Sequence, residues 1–185
     1  MPEYEKRLYD EVPFDAQRPY ELGGWRKLPE IVHNDVEVKG FFGEYRWLSN
    51  FGPAIVQLDG VTYPSVEVAY QAAKWAPNDR DYFNECSNKE SISYNRENTP
   101  DFYTEDAWES TKVDVMYALL QQKYDPAVNP ENAQRLAETG YRYLEETNWW
   151  GDRFWGKDLQ GEGLNTLGEL IMIIRGQHAA PTIPV

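Results

Sequence analysis

The sequence predicts a helix-dominated α+β fold, one domain with a small β-hairpin near its front, and three observations carry that reading. Asp59-Gly60 stands between two short β-prone runs in AIVQLDGVTYP, and Asp-Gly in that setting is a strong signal for a two-residue hairpin turn. Trp108, Val115, Met116, Leu119 and Leu120 recur at helical spacing behind Thr104, a candidate N-cap followed by two acids, as the start of a long helix requires. Leu167, Leu170, Ile171 and Ile174 mark a strongly apolar last helix. With strands few and helices many, the class is α+β, and 185 residues suffice for one domain of ordinary size.

Taken in order, residues 1 to about 40 are charged and broken by Pro13, Pro19, Gly23-Gly24 and Pro29, so neither structural period holds for long. Residues 1–38 are therefore expected to form an N-terminal extension that packs on a core domain of 39–178, with 179–185 as a tail. The aromatic run FFGEYRWLSNF opens the domain, and the hairpin follows. A helix is expected from Pro64-Ser65 through VEVAYQAAKW, closed by Pro77. Residues 78–103 are polar and irregular, which predicts a long loop with a helical turn or two. The long helix should run from Glu105 to Lys123. Asn129-Pro130 should start another, ENAQRLAET, with Gly140 as its C′ residue. YRYLEET reads as a short strand, NWWGDRFWGKDLQGEG as a loop, and the last helix as roughly Asn165 to Arg175. No internal repeat is visible.

Composition limits the function classes. Hydrophobic residues make up 41% and aromatics 15%, too many for a disordered acidic tail. No run approaches the roughly 18 apolar residues of a membrane span, and the charged start is unlike a signal peptide. The single cysteine, Cys86, excludes an internal disulfide and, with His33 and His178 as the two histidines, leaves little for a metal centre; neither metal nor cofactor is expected. A cytoplasmic setting fits. Eighteen Lys and Arg against 31 Asp and Glu give a net charge of −13, and basic clusters reach only pairs such as Lys6-Arg7, so nonspecific nucleic-acid binding is not expected. One nucleotide in a pocket stays open, and oligomeric state is unreadable.

Three groups of residues could carry chemistry. Glu67, Gln71 and Lys74 stand at i, i+4 and i+7 and share one helix face: either a solvated polar stripe, or an acid, an orienting amide and an amine. Trp149, Trp150, Phe154 and Trp155 crowd one loop with Asp152, Asp158 and several glycines. Such rings either fill a core or stack on a flat base. GEGLNT leads into a helix at Asn165, either an ordinary capped start or a phosphate site made by free N–H groups.

In order and wording these segments resemble the NADAR family, the YbiA-like N-glycosidase superfamily. The resemblance runs through FFGEYRWLSNF, LDGVTYPSVEVAYQAAKW, AWESTKVDVMYALLQQKY, LAETGYRYLEET, WWGDRFWG and GEGLNTLGELIMIIR, roughly residues 41–176. It implies a hydrolase that cleaves an N-glycosidic bond between ribose phosphate or ADP-ribose and a heterocyclic base or amine. Family substrates are ribosylamino-pyrimidine phosphates of riboflavin biosynthesis or ADP-ribosylated guanine. The family's glutamate corresponds to Glu67, its lysine to Lys74, its Asp-x-x-Trp-Gly motif to Asp152, Trp155 and Gly156, its later tryptophan to Trp108, and the asparagine of Leu-Ser-Asn to Asn50. Glu67, Lys74 and Asp152 are then the expected catalytic residues, with Asn50, Gln71, Trp108, Trp155, Gly156 and Asn165 binding substrate. Val68 departs from the polar residue many relatives carry after the glutamate. The alternatives from other classes are a non-catalytic ADP-ribose or NAD reader and an interaction protein docking through residues 1–40.

Overall fold

The structure is a computed structural model describing residues 31–100 and 104–179. The extension up to residue 30 and the tail from 180 lie outside the described residues. The class is α+β as expected, and the chain forms two compact units: one holds residues up to Ser49 with Tyr141–Met172, the other Asn50–Gly140 and the chain from Ile173.

The first unit contains a sheet of which the sequence announced one strand, in YRYLEET. Strand β1 (Val32–His33) pairs antiparallel with β2 (Glu37–Lys39), and β2 pairs in parallel with β5 (Tyr143–Glu145). Residues 32–33 and 37–38 of the expected extension therefore hold strand positions, although no strand period marks them. Val38 and Leu144, register partners on the two strands, are wholly buried. Phe42 stacks on Trp149 with ring centroids 5.2 Å apart, and Ile31, Trp150 and Leu159 pack around that pair.

In the second unit β3 (Pro53–Leu58) and β4 (Val61–Ser65) form the expected hairpin. Asp59 and Gly60 both take positive φ, 50° and 83°, as a type I′ turn demands. The outer edge of β3 is closed by side chains. Gln122 accepts from the Gln57 N–H at 2.7 Å and donates to its carbonyl at 3.0 Å, while Asn129 does the same for Ile55 at 2.9 and 2.8 Å. Two amides thus stand in for the missing neighbour strand, satisfying ladder groups an edge leaves open.

Helix α1 (Val66–Ala72) follows directly. Helix α2 (Asn88–Glu97) occupies the segment read as a loop, and α3 (Glu105–Lys123), capped by Thr104, has the predicted limits. Of its predicted stripe, Met116, Leu119 and Leu120 are buried and Trp108 and Val115 half-buried. Helix α4 (Pro130–Glu138) ends at Gly140 with φ 59°, the left-handed C′ position expected. The last helix, α5 (Thr166–Ala179), passes from the first unit to the second at Ile173. No helix among the described residues is long and apolar enough to cross a membrane.

Candidate active site

Helix α1 is the centre of the second unit. Ser65, in extended conformation, caps it by accepting from the Val68 N–H at 3.2 Å, and Ser65 Oγ donates to Asn88 on α2 at 2.5 Å. All seven residues of α1 are buried, between the hairpin, α2 and α3. Ala69, Ala72 and Ala73 keep it thin enough for that. Val68 is wholly buried; a polar side chain there would need a buried partner of its own.

The polar face of α1 is therefore no solvated stripe. Glu67 is 9% exposed and Gln71 8%. Gln71 Nε2 donates to Glu67 Oε1 at 2.7 Å, and Lys74 Nζ donates to Gln71 Oε1 at 2.9 Å. Acid, amide and amine form one hydrogen-bonded chain along the shared face that their spacing predicted. Lys74 Nζ also lies 5.4 Å from the centroid of Tyr70 and 5.6 Å from that of Trp108, two rings 5.1 Å apart. Burial pushes the Lys74 ammonium below its usual range, and the Glu67 carboxylate partly offsets this. A lysine so placed loses its proton more readily than a surface one, which is what a nucleophilic amine requires.

Two further residues join this chain. Asn95 Nδ2, from α2, donates to Gln71 Oε1 at 2.8 Å and to the Gln71 carbonyl at 3.1 Å, and the Trp75 indole N–H donates to Asn95 Oδ1. Asn50 supplies its carbonyl to the Glu67 N–H at 3.1 Å. Its side-chain Nδ2 faces Met116 Sδ at 3.5 Å, while its buried Oδ1 has no hydrogen-bond partner among the described residues. A buried carbonyl left open next to a carboxylate-bearing turn is a ready acceptor for a ligand hydroxyl or N–H.

The indole loop belongs to the first unit and is built around Asn148, which has no exposed surface. Its Oδ1 accepts from the Gly151 and Asp152 N–H groups, both at 2.9 Å; its Nδ2 donates to the Asp152 and Lys157 carbonyls at 2.7 and 3.2 Å. Asp152 Oδ1 in turn accepts from the Phe154 and Trp155 N–H groups at 2.9 Å, so the aspartate of the motif holds the backbone beneath its own tryptophan. Asp158 ties the exit of the loop. Oδ1 accepts from Gln160 and Glu162, and Arg153 donates to Oδ2 at 2.7 Å. Desolvation opposes its charge, but the backbone N–H bonds and Arg153 prevail and hold the carboxyl below its usual range.

The rings divide between the two readings. Trp149 fills the core, 3% exposed. Trp155 and Phe154 are half-buried and meet edge to face, centroids 4.9 Å apart. Gly156 is a packing glycine: a Cβ on it would lie 2.2 Å from the Glu146 carbonyl, so close backbone approach requires glycine there. Asn165 has a structural role. Its side chain is wholly buried, accepting from the Glu146 N–H at 2.9 Å and donating to the Leu144 carbonyl and the Tyr143 hydroxyl at 2.9 and 3.1 Å. The N–H groups of residues 164–167 are also committed, to the carbonyls of Arg153, Gly156, Phe154 and Trp155. The start of α5 therefore braces the indole loop, with the N–H groups of residues 164–167 turned to that loop.

Within the second unit, then, Glu67, Gln71, Lys74, Trp108 and Asn50 share one neighbourhood on or against α1; Asp152, Trp155, Gly156 and Asn165 belong to the loop of the first unit. Asn95, Tyr70, Trp75 and Asn148 were missed. Ser87 and Glu90 were the signal for Asn95: both bonds of a capping box are present, Glu90 to the Ser87 N–H at 2.7 Å and Ser87 to the Glu90 N–H at 3.3 Å. Read as Ser-x-x-Glu, they start the helix that carries Asn95.

Residues 38–177 match the NADAR domain family. The chain is 33% identical over 168 residues to the riboflavin biosynthesis protein PYRR, chloroplastic, of Zea mays, covering 80% of this chain but 26% of that one. It is 30% identical over 172 residues to N-glycosidase YbiA of Escherichia coli (strain K12), covering 91% and 98%. The NMR structure of the E. coli protein YbiA superposes with a TM-score of 0.67 at 28% identity, over 80% of this chain and 88% of that one. The chain spans about a quarter of the maize protein and nearly all of YbiA. Family match, relatives and fold agree, and this chain belongs to the NADAR family.

Proposed function

We propose that this protein is an N-glycosidase that hydrolyses the bond between C1 of a ribose phosphate or ADP-ribose and the nitrogen of a heterocyclic base or amine. The observation that carries the reading is the hydrogen-bonded Glu67–Gln71–Lys74 chain, its acid and amide buried and its amine half-buried. Cleaving this bond builds positive charge on the sugar and negative charge on the departing nitrogen. The Glu67 carboxylate stabilises the first, in a setting dry enough for the charge to count. Lys74 donates a proton to the leaving nitrogen or, once deprotonated, attacks C1 of the ring-opened sugar; the base leaves with a proton and water then hydrolyses the imine. Trp108, beside Lys74, and Asn50 with its open Oδ1 form the binding surface of the same neighbourhood. The half-buried Trp155, in its own unit, presents the kind of aromatic face on which bases stack. A net charge of −13 favours a small molecule or a single modified base over a polyanion backbone.

The test is parallel incubation with ADP-ribosylated guanosine, ribosylamino-pyrimidine phosphates and NAD, with mass detection of released base and sugar. Wild type should release base from at least one, and Glu67→Gln should lower that rate by about 10²–10⁴-fold. Every ligand recovered intact, or wild-type turnover by Glu67→Gln, would overturn the reading.

A further inference from the structure

We infer that Asn95, held by the Trp75 indole, is a positioning residue that sets which way round the Gln71 amide stands between Glu67 and Lys74. The inference rests on the reading of Glu67 and Lys74 as the reacting pair. An indole N–H can only donate, so Asn95 must turn Oδ1 towards Trp75. Its Nδ2 is then left to donate, and it reaches Gln71 twice, at the carbonyl and at Oε1. With Oε1 accepting from both Asn95 and Lys74, Gln71 Nε2 faces Glu67 and donates to it. Reversing the Gln71 amide would set Nε2 against Asn95 Nδ2, donor against donor.

The two orientations correspond to two proton distributions of one pair. In the observed one Glu67 accepts and Lys74 donates, which suits a carboxylate and an ammonium. In the reversed one Glu67 could meet Oε1 only as a carboxylic acid, and Lys74 could meet Nε2 only as a neutral amine. Asn95 makes the charged distribution the resting state, so the acid starts each cycle ionised. Among the described residues, the groups around Lys74 include Glu67, Gln71 and Tyr70 from α1 and the Trp108 ring from α3, with Asn95 of α2 acting through Gln71. Trp75 is itself fixed, packed on Tyr94 and Phe83 at 5.3 and 6.4 Å, with its carbonyl taken by Arg80 Nε at 2.9 Å.

The experiment titrates Lys74 by NMR of labelled lysine in the free protein and measures kcat and KM for a cleaved N-glycoside. Asn95→Leu should lower the Lys74 midpoint by about half a pH unit or more, since the neutral pair gains when the reversed amide meets no opposing donor. Trp75→Phe, which lets Asn95 turn over, should move it the same way by less, and carries the test if Asn95→Leu fails to fold. In a Gln71→Leu background the Asn95→Leu shift should vanish, because the amide that transmits it is gone. kcat should fall about tenfold with KM within about threefold. An unmoved midpoint in both variants, or a shift that persists without Gln71, overturns the inference. If wild type cleaves no N-glycoside the proposed reaction fails while the titration still decides the role of Asn95; if wild type cleaves and Asn95→Leu matches it in rate and midpoint, only the role of Asn95 fails.

Discussion

Replacing Asn148 with alanine removes four hydrogen bonds from the indole loop at once, two accepted by Oδ1 and two donated by Nδ2. Each is worth about 1 kcal/mol net, or about 4 kcal/mol for the four taken together. Gly151 is exposed, so water replaces the acceptor there, whereas the groups nearer Asn148, itself fully buried, are less easily re-solvated. A loss of about 2–3 kcal/mol follows, and for a chain of this length that lowers Tm by about 5–10 °C. The consequence is local before it is global. Asp152 is held by Asn148, and Asp152 holds the Phe154 and Trp155 N–H groups, so near-UV circular dichroism should lose tryptophan intensity while far-UV helical signal stays. A Tm lowered by less than about 2 °C with an unchanged near-UV spectrum would refute the view that this side chain organises the loop.

Lys74→Met should melt above wild type near neutral pH by about 2–4 °C, because an apolar chain replaces a half-buried, partly desolvated ammonium, a gain on the order of 1 kcal/mol. The folded midpoint of Lys74 lies below its unfolded value of 10.5, so between the two the unfolded chain binds more protons and wild-type stability rises with pH. The advantage of the methionine variant should therefore shrink as pH is raised towards 10.5; thermal melts at pH steps across that range check it, and an advantage that grows would contradict the assignment. Gly168→Ala and Gly176→Ala, on the same helix, should move stability in opposite directions. A Cβ at Gly168 would lie 2.3 Å from the Leu144 carbonyl, whereas nothing stands within 4 Å of one at Gly176. The first should cost about 1–3 kcal/mol through overpacking and the second gain up to about 1 kcal/mol of helix propensity, read as Tm shifts of opposite sign.

Much of the fold was legible because its signals are local. Asp59-Gly60 dictates positive φ at both turn positions, Thr104 caps a helix whose limits follow, and Gly140 ends another. Of the β1-β2-β5 sheet only the strand in YRYLEET was legible, since β1 and β2, of two and three residues, contain too few positions for an alternation to register, and the parallel pair joins segments a hundred residues apart. Helix α2 was lost for a different reason. NKESISYNRE is polar enough to pass for a loop, and only Ser91 is buried within it; the capping box, rather than an apolar stripe, is what declares it.

For the site, spacing alone could align Glu67, Gln71 and Lys74 but could not decide whether their face meets water. That depends on what surrounds α1, and the surroundings come from the hairpin, α2 and α3, elements tens of residues away. Once all faces are covered, the meaning of the stripe reverses. On a surface such a row contributes a few tenths of a kcal/mol. Inside, a carboxylate and an ammonium each cost several kcal/mol of desolvation, and an apolar stripe of the same volume would hold the fold as well or better. Stability therefore does not explain why a short, thin, otherwise apolar helix carries an acid joined, through an amide whose orientation is fixed from α2, to an amine two residues past its end. A requirement to keep one proton on the amine and off the acid does, and that same requirement explains why the partners supplied to the chain, an indole that can only donate and an asparagine that must then do the same, are ones that leave Gln71 a single way to stand.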